Sequence, residues 1–212
     1  MSTSRFETLT GEVDRAFPEY DEPPGEPMCL VRRWLADAAR QGVREPRAMA
    51  LATADRRGRP SSRIVAVLDV TPSGAVFTTH RSSQKGRELA ANRWASGLLY
   101  WRETGQQLIL SGPVERLSEA ACDDMWYARP TPLHSMSTAS RQSDQLVDAD
   151  SLRAEAARLA ALDRPLPRPA RFVGYRLAPT VVEFWCASAD RLHRRLRFDR
   201  SGSGWRASRL QP

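Results

Sequence analysis

The chain has 212 residues, 41% of them hydrophobic, and a formal net charge of +7, a length that suits one domain with a sizeable core. No apolar run is long enough to span a bilayer, and the acidic, polar N-terminus is neither a signal peptide nor a basic transit peptide, so a cytoplasmic protein with no membrane partner is expected. The three cysteines, Cys29, Cys122 and Cys186, are too scattered for a disulfide framework or a metal site and read as reduced thiols.

Residues 1–27 lack hydrophobic periodicity and predict a flexible acidic arm ahead of one domain over residues 28–212. Residues 1–26 hold seven acids and two arginines, which leaves 30 basic and 18 acidic side chains in the remainder. Such a body attracts anions. Yet 31 of the 32 basic side chains are arginine and one is Lys85, which marks an arginine-rich composition more than a nucleic-acid partner. Next, Val31, Trp34, Leu35 and Ala38 share one face of a helix that Gly42 ends. Strands are expected over residues 48–54, 62–70 and 75–79, separated by turns at Arg56-Arg57-Gly58-Arg59-Pro60 and Thr71-Pro72-Ser73-Gly74. Ser82 or Ser83 caps a short helix running to Asn92. Strands over residues 96–102 and 106–117 flank a hairpin turn. Ser118 caps a helix containing Ala121, Met125 and Trp126 that stops at Arg129-Pro130. Residues 131–143 read as a polar loop, and Leu152, Ala156 and Leu159 mark another amphipathic helix. Pro165-Leu166-Pro167-Arg168-Pro169 is a stiff connector. Strands over residues 172–177, 180–186, 194–199 and 204–209 close the chain. Many short antiparallel strands with interspersed helices indicate an α+β domain centred on a β-barrel.

Much chemistry is excluded. His80, His134 and His193 are widely spaced without a metalloprotease context, no G-x-S-x-G elbow exists, and neither glycine-rich nucleotide motif is present. An enzyme of this composition would borrow its chemistry from a cofactor. Four polar features stand out. Arg63 shares a strand face with Val65 and Val67, and needs an anion or a frayed end there. Thr78-Thr79 ends a strand, and Ser82-Ser83-Gln84-Lys85-Gly86 opens a helix. Their hydroxyls, helix-start amides and one ammonium suit a phosphate, although a serine cap with a solvated lysine is the commoner use. Gln107, among apolar neighbours, would meet a planar heterocycle or a backbone group. If residues 190–198 are extended, Arg191, His193 and Arg195 share one face, as an anion site or as a solvated basic edge.

The order of these pieces resembles the pyridoxamine 5′-phosphate oxidase family, the FMN-binding split barrels. The resemblance runs from about Arg44 to Pro212. It is carried by Glu45-Pro46-Arg47-Ala48-Met49-Ala50-Leu51-Ala52-Thr53, Arg63-Ile64-Val65, Val76-Phe77-Thr78-Thr79, Lys85-Gly86, Gln107, Arg141-Gln142-Ser143, Glu183-Phe184-Trp185, Arg191-Leu192-His193-Arg194-Arg195, Trp205 and the C-terminal Arg209-Leu210-Gln211-Pro212. It implies a homodimeric split β-barrel with FMN at the subunit interface. The FMN contacts it implies are Arg63, Ile64, Val65, Thr78, Thr79, Lys85, Gln107, Gln142, Ser143, Trp185 and Arg195. Arg63 and Lys85 would take the phosphate, Gln107 and Arg195 the isoalloxazine ring. Gln84 departs from the family, which usually has a basic residue beside the lysine.

The substrate side departs further. Where vitamin-forming members hold a substrate phosphate with a lysine, a tyrosine, an arginine and a serine, this chain has Leu68, Met125, Arg129 and Leu133. Two leucines do not satisfy a phosphate dianion. Tyr100-Trp101-Arg102-Glu103-Thr104, Ser140-Arg141-Gln142-Ser143 and Leu196-Arg197-Phe198-Asp199-Arg200 resemble instead the phenazine-biosynthesis branch of the family. That resemblance implies oxidation of a reduced phenazine carboxylate by hydride transfer to flavin N5, with dioxygen reoxidising the flavin to give hydrogen peroxide. Arg129, Arg191 and His193 would bind the substrate, Arg191 clamping a carboxylate and His193 orienting it or accepting a proton. The alternatives are a pyridoxamine 5′-phosphate oxidase and a split-barrel flavin binder without turnover.

Overall fold

The computed structural model describes residues 15–212. Helix α1 (Pro27–Arg40) is amphipathic, with Leu30, Val31, Trp34, Leu35 and Ala38 buried. Six strands alternate with short turns and one helix: β1 (Ala48–Ala54), β2 (Pro60–Ala66), β3 (Asp69–Thr71), β4 (Gly74–His80), helix α2 (Gln84–Ala91), β5 (Trp94–Trp101) and β6 (Gln106–Arg116). Three helices follow, α3 (Glu119–Tyr127), α4 (Pro132–Ala139) and α5 (Ala149–Ala160). The chain then returns as β7 (Phe172–Leu177), β8 (Val181–Cys186), β9 (Arg194–Ser201) and β10 (Gly204–Leu210).

All strands join one curled antiparallel sheet in the order β10-β9-β8-β6-β5-β1-β2, with β7, β4 and β3 branching from β6. The branch point is a change of partner within β6: residues 106–111 pair with β8, and residues 114–116 pair with β7. Gly112 makes the change possible, since a Cβ there would lie 2.3 Å from the Ala178 carbonyl oxygen. The result is the split half-barrel expected. Its core holds Met49, Leu51, Phe77, Leu99, Leu108, Phe184 and Phe198, closed at one end by Trp34 against Phe17 and Phe184.

Three local expectations are corrected. The strand expected over residues 62–70 breaks at Val67-Leu68. Val67 N–H donates to Arg47 O, Leu68 N–H donates to Val76 O, and the chain passes from β1 to β4 as its partner. The loop expected over residues 131–143 contains α4, with Pro132 in its first turn. The arm expected over residues 1–27 is on the domain from residue 15 onward: Phe17 is 3% exposed in the core and Arg194 donates to Arg15 O. Residues 1–14 lie outside the described residues. No described helix is long and apolar enough to cross a membrane.

Candidate active site

Two groups of polar side chains lie on the sheet. The first forms where β2 meets the start of α2. Alternation places Arg63 on the core-facing side of an edge strand, opposite Leu51. Its guanidinium donates to Leu51 O, Thr53 Oγ1, Ser61 Oγ and, at 3.2 Å, Glu88 Oε2. Glu88 is buried and also accepts from Thr53, Ser61 and Gln84. Burial pushes its carboxyl up, but the hydrogen bonds from Thr53, Ser61, Gln84 and Arg63 outweigh burial and hold it at about 2. Lys85, one turn away on α2, has no carboxylate partner among the described residues. Its Nζ donates to the hydroxyls of Thr79 at 3.0 Å and Ser83 at 3.5 Å. Burial, then the repulsion of Arg63, lower its pKa against the pull of Glu88.

The local sequence dictates this convergence. Ser83 caps α2 by accepting from Gly86 N–H at 3.3 Å. A Cβ on Gly86 would come within 2.4 Å of Arg81 O, so only glycine lets the helix begin against the end of β4. Gln142, from the loop after α4, reaches the same place and accepts from Thr79 Oγ1 at 2.9 Å. An ammonium met only by hydroxyls, beside a second cation whose carboxylate is already committed, fits a phosphate. Thr78 and Thr79 are successive strand residues and project to opposite faces, so Thr79 alone of the two joins Lys85 through its side chain. Val65 packs on the core, Ile64 is 65% exposed on the other face, and Ser143 sits in the loop at φ 72°.

The second group is a row across three strands. Gln107 on β6 stands opposite Trp185 on β8, which stands opposite Arg195 on β9. Glu183, buried two residues before Trp185, binds the Arg195 guanidinium at 2.7 Å, and Arg195 Nη1 donates to Gln211 O at 3.0 Å. His193 lies against Trp185 with ring centroids 4.8 Å apart, and its Nδ1 accepts from Ser188 N–H at 3.2 Å. The expectation of Arg191, His193 and Arg195 on one strand face is corrected. β9 begins at Arg194, and Arg191 is in a turn with φ 65°, its N–H bonded to Ser188 O. His193 and Arg195 still flank Trp185, whereas the turn aims Arg191 separately.

The Arg129 guanidinium lies over the Trp126 and Phe172 rings, which touch each other edge-on, 5.6 and 5.0 Å from their centroids, and donates to Ser137 Oγ at 3.2 Å. Burial lowers its pKa. Leu68 and Leu133 present their side chains to solvent at 45% and 51% exposure, and Met125 packs over Gly174. Glu88 and Glu183 escaped the sequence reading. The traceable signals are one acid in the otherwise apolar β8 and one acid three residues after Lys85 on the same helix face. Among the described residues no group of three or more His, Cys, Asp or Glu side chains could hold a metal.

The two groups lie on opposite faces. Arg63 heads a cross-sheet row through Leu51, Gly97, Leu110, Val182 and Phe198, which faces the core. Gln107 is three residues from Leu110 along β6, so its row projects outward. That outer face continues over β1, β2 and β5 as a depression with Ala48, Ala50, Ile64, Leu98 and Tyr100 on the strands and the charged Arg44, Glu45, Arg102 and Glu103 at its side.

A family model described as pyridoxamine 5′-phosphate oxidase matches residues 35–186. The chain belongs to the pyridoxamine 5′-phosphate oxidase family. A second family model, the pyridoxine 5′-phosphate oxidase C-terminal dimerisation region, matches residues 172–212. Within the family, the chain is 58% identical over 212 residues, all of both chains, to a dihydrophenazinedicarboxylate synthase of Burkholderia lata. It is 40% identical to a pyridoxine/pyridoxamine 5′-phosphate oxidase of Rubrobacter xylanophilus, over 96% of this chain and 95% of that one. The solved structure of PhzG from Burkholderia lata, in complex with tetrahydrophenazine-1-carboxylic acid, superposes with a TM-score of 0.93 at 57% identity, covering 95% of this chain and 100% of that one. An FMN-binding family protein of Nostoc punctiforme shares the fold at 17% identity, with a TM-score of 0.68 over 84% of this chain and 97% of that one.

Proposed function

We propose that this protein is an FMN-dependent oxidase of phenazine biosynthesis, a homodimer that oxidises a reduced phenazine carboxylate. The observation that carries the reading is the full-length likeness, at 58% identity, to the Burkholderia lata synthase. The residues present fit the cofactor. Arg63 and Lys85 supply charge for the phosphate, with Thr79 and Gln142 orienting Lys85. Gln107, Trp185 and Arg195 supply a hydrogen-bonding and apolar edge for the ring. Because these half-sites occupy opposite faces of the sheet, one flavin engages both only when a second chain brings its outer face to the Lys85 end. The match of residues 172–212 to a dimerisation region supports that arrangement.

FMN, held by Arg63 and Lys85 at its phosphate and by Gln107, Trp185 and Arg195 at its ring, would supply the redox chemistry, a two-electron oxidation of the substrate at the expense of dioxygen that yields hydrogen peroxide. The chain's own residues bind and orient. Arg191, held in its turn beside the ring row, clamps a substrate carboxylate. His193, with Nδ1 accepting from Ser188 N–H, carries its hydrogen on Nε2, where it can donate to the substrate and orient it. Arg129 gives a second cationic contact. Leu68 and Leu133 offer apolar surface where a phosphate would go unsatisfied, which weighs against a pyridoxamine 5′-phosphate oxidase.

Oxygen uptake tests the proposal. FMN-loaded protein should consume dioxygen with a dihydrophenazine carboxylate faster than the spontaneous rate. Uptake no faster than spontaneous would overturn the reading, and a protein that takes up no FMN would overturn its cofactor as well.

A further inference from the structure

The phosphate end leans on a residue outside the set of expected contacts. His80, the last residue of β4, is 0% exposed. Two reciprocal hydrogen bonds join it to Gln142: His80 N–H donates to Gln142 Oε1 at 3.3 Å, and Gln142 N–H donates to His80 Nδ1 at 3.4 Å. The same Oε1 accepts from Thr79 Oγ1 at 2.9 Å, and Thr79 Oγ1 accepts from Lys85 Nζ at 3.0 Å. With its hydrogen committed to Gln142, the Thr79 hydroxyl keeps a lone pair toward the ammonium. Remove Gln142 and that hydroxyl can turn its hydrogen elsewhere, to Ser83 Oγ at 3.5 Å or to water. The loop carrying Gln142 has a second tie, Arg171, which donates to Ser140 O at 3.1 Å and to Thr138 O.

We propose that His80 is a positioning residue for the cofactor phosphate, a neutral acceptor that locks Gln142 onto Thr79 and thereby aims Lys85. The proposal rests on the flavin reading of the site. Nδ1 accepts a hydrogen bond only while unprotonated, and the surroundings enforce this. Burial, then the charges of Arg171 before β7, Lys85 on α2 and Arg129 after α3, lower the His80 pKa to about 4. Nothing in the sequence around His80 marks this role; it follows from the pairing with a loop 62 residues away.

Titrations of FMN and of riboflavin, followed by flavin fluorescence, test the proposal on the full-length wild type, His80→Leu, His80→Asn and Gln142→Ala. His80→Leu should bind FMN about ten-fold more weakly, the cost of one buried donor left unmet, with riboflavin affinity unchanged because riboflavin has no phosphate. His80→Asn keeps an acceptor in place of Nδ1 and should stay within about two-fold of wild type. Gln142→Ala should lose FMN but not riboflavin, and adding His80→Leu to it should cost nothing more. Wild-type FMN affinity in His80→Leu, or equal losses for FMN and riboflavin, would overturn the proposal while leaving the flavin site standing. Should His80→Leu fail to fold, FMN affinity of Gln142→Ala equal to wild type would overturn it in its place. A wild type that binds neither flavin would overturn the site reading and the proposal together.

Discussion

The two half-sites are built in contrasting ways. Around Lys85 the charged and polar side chains are tied to one another: Arg63 to Glu88, Glu88 to three further donors, Thr79 to Gln142. Regular elements supply all of it except Gln142. Around His193, by contrast, the chain from Ala187 to His193 is a loop that bonds mainly to itself, through Ser188, Asp190 and the left-handed Arg191. A cofactor common to a family calls for a fixed, pre-ordered anion site. On the proposed reading, a substrate that differs between branches would be met by a loop and by exposed side chains such as Leu68 and Leu133, which can change without disturbing the core. Mutations should therefore divide: those at the Lys85 end change FMN binding, with a loss of stability as well where the Arg63–Glu88 pair is broken, and those at the loop change the handling of substrate with FMN affinity unchanged.

Arg63→Ala should have the largest effect. It strips Glu88 of its cation and should cost ~3 kcal/mol of stability in urea unfolding and at least about a hundred-fold in FMN affinity. Adding Glu88→Gln should restore most of the stability and none of the FMN affinity. Restored binding in the double variant would show that Arg63 matters only as a partner of Glu88. Lys85→Ala should weaken FMN about thirty-fold while changing stability by less than about 0.5 kcal/mol, because its partners are hydroxyls that water can serve. Arg191→Ala should raise KM for a reduced phenazine carboxylate about ten-fold with FMN affinity unchanged. If neither KM nor kcat moves, Arg191 is no carboxylate clamp.

The pH dependence of stability sharpens the contrast with a smaller effect. The unfolded chain protonates His80 near its ordinary value of 6.5, whereas the folded chain holds it neutral down to about 4. Its contribution is present above pH 6.5 and lost as the pH falls toward 4. Glu88, held at about 2 against 4.5, adds a second loss between those values. Denaturant midpoints measured across this range should fall in both windows, and His80→Asn should flatten the upper one.

Much of this was legible in one dimension. Ser83, Lys85 and Gly86 announced a capped helix with an ammonium at its start, and alternation put Arg63 on an inward face. The strands carrying Gln107, Trp185 and Arg195 were visible, but the register that aligns them was not, since it is fixed by partners distant in sequence. The handover at Val67-Leu68 is likewise a tertiary event. Helix α4 hid behind a polar sequence with a weak apolar stripe. It is held from outside by His134, which accepts from Leu166 N–H at 3.2 Å. Glu88 and Glu183 carry no mark of their roles, because a sequence pattern does not distinguish a buried acid with an arginine partner from an exposed one.

The most direct measurement of the central claim is an anaerobic half-reaction. FMN-loaded protein is mixed with a dihydrophenazine carboxylate or with pyridoxamine 5′-phosphate, and the flavin absorbance is followed. The phenazine should bleach the flavin rapidly and the phosphate ester little or not at all, and admitting air should restore the yellow colour and form hydrogen peroxide. Bleaching by pyridoxamine 5′-phosphate with no response to the phenazine would contradict it.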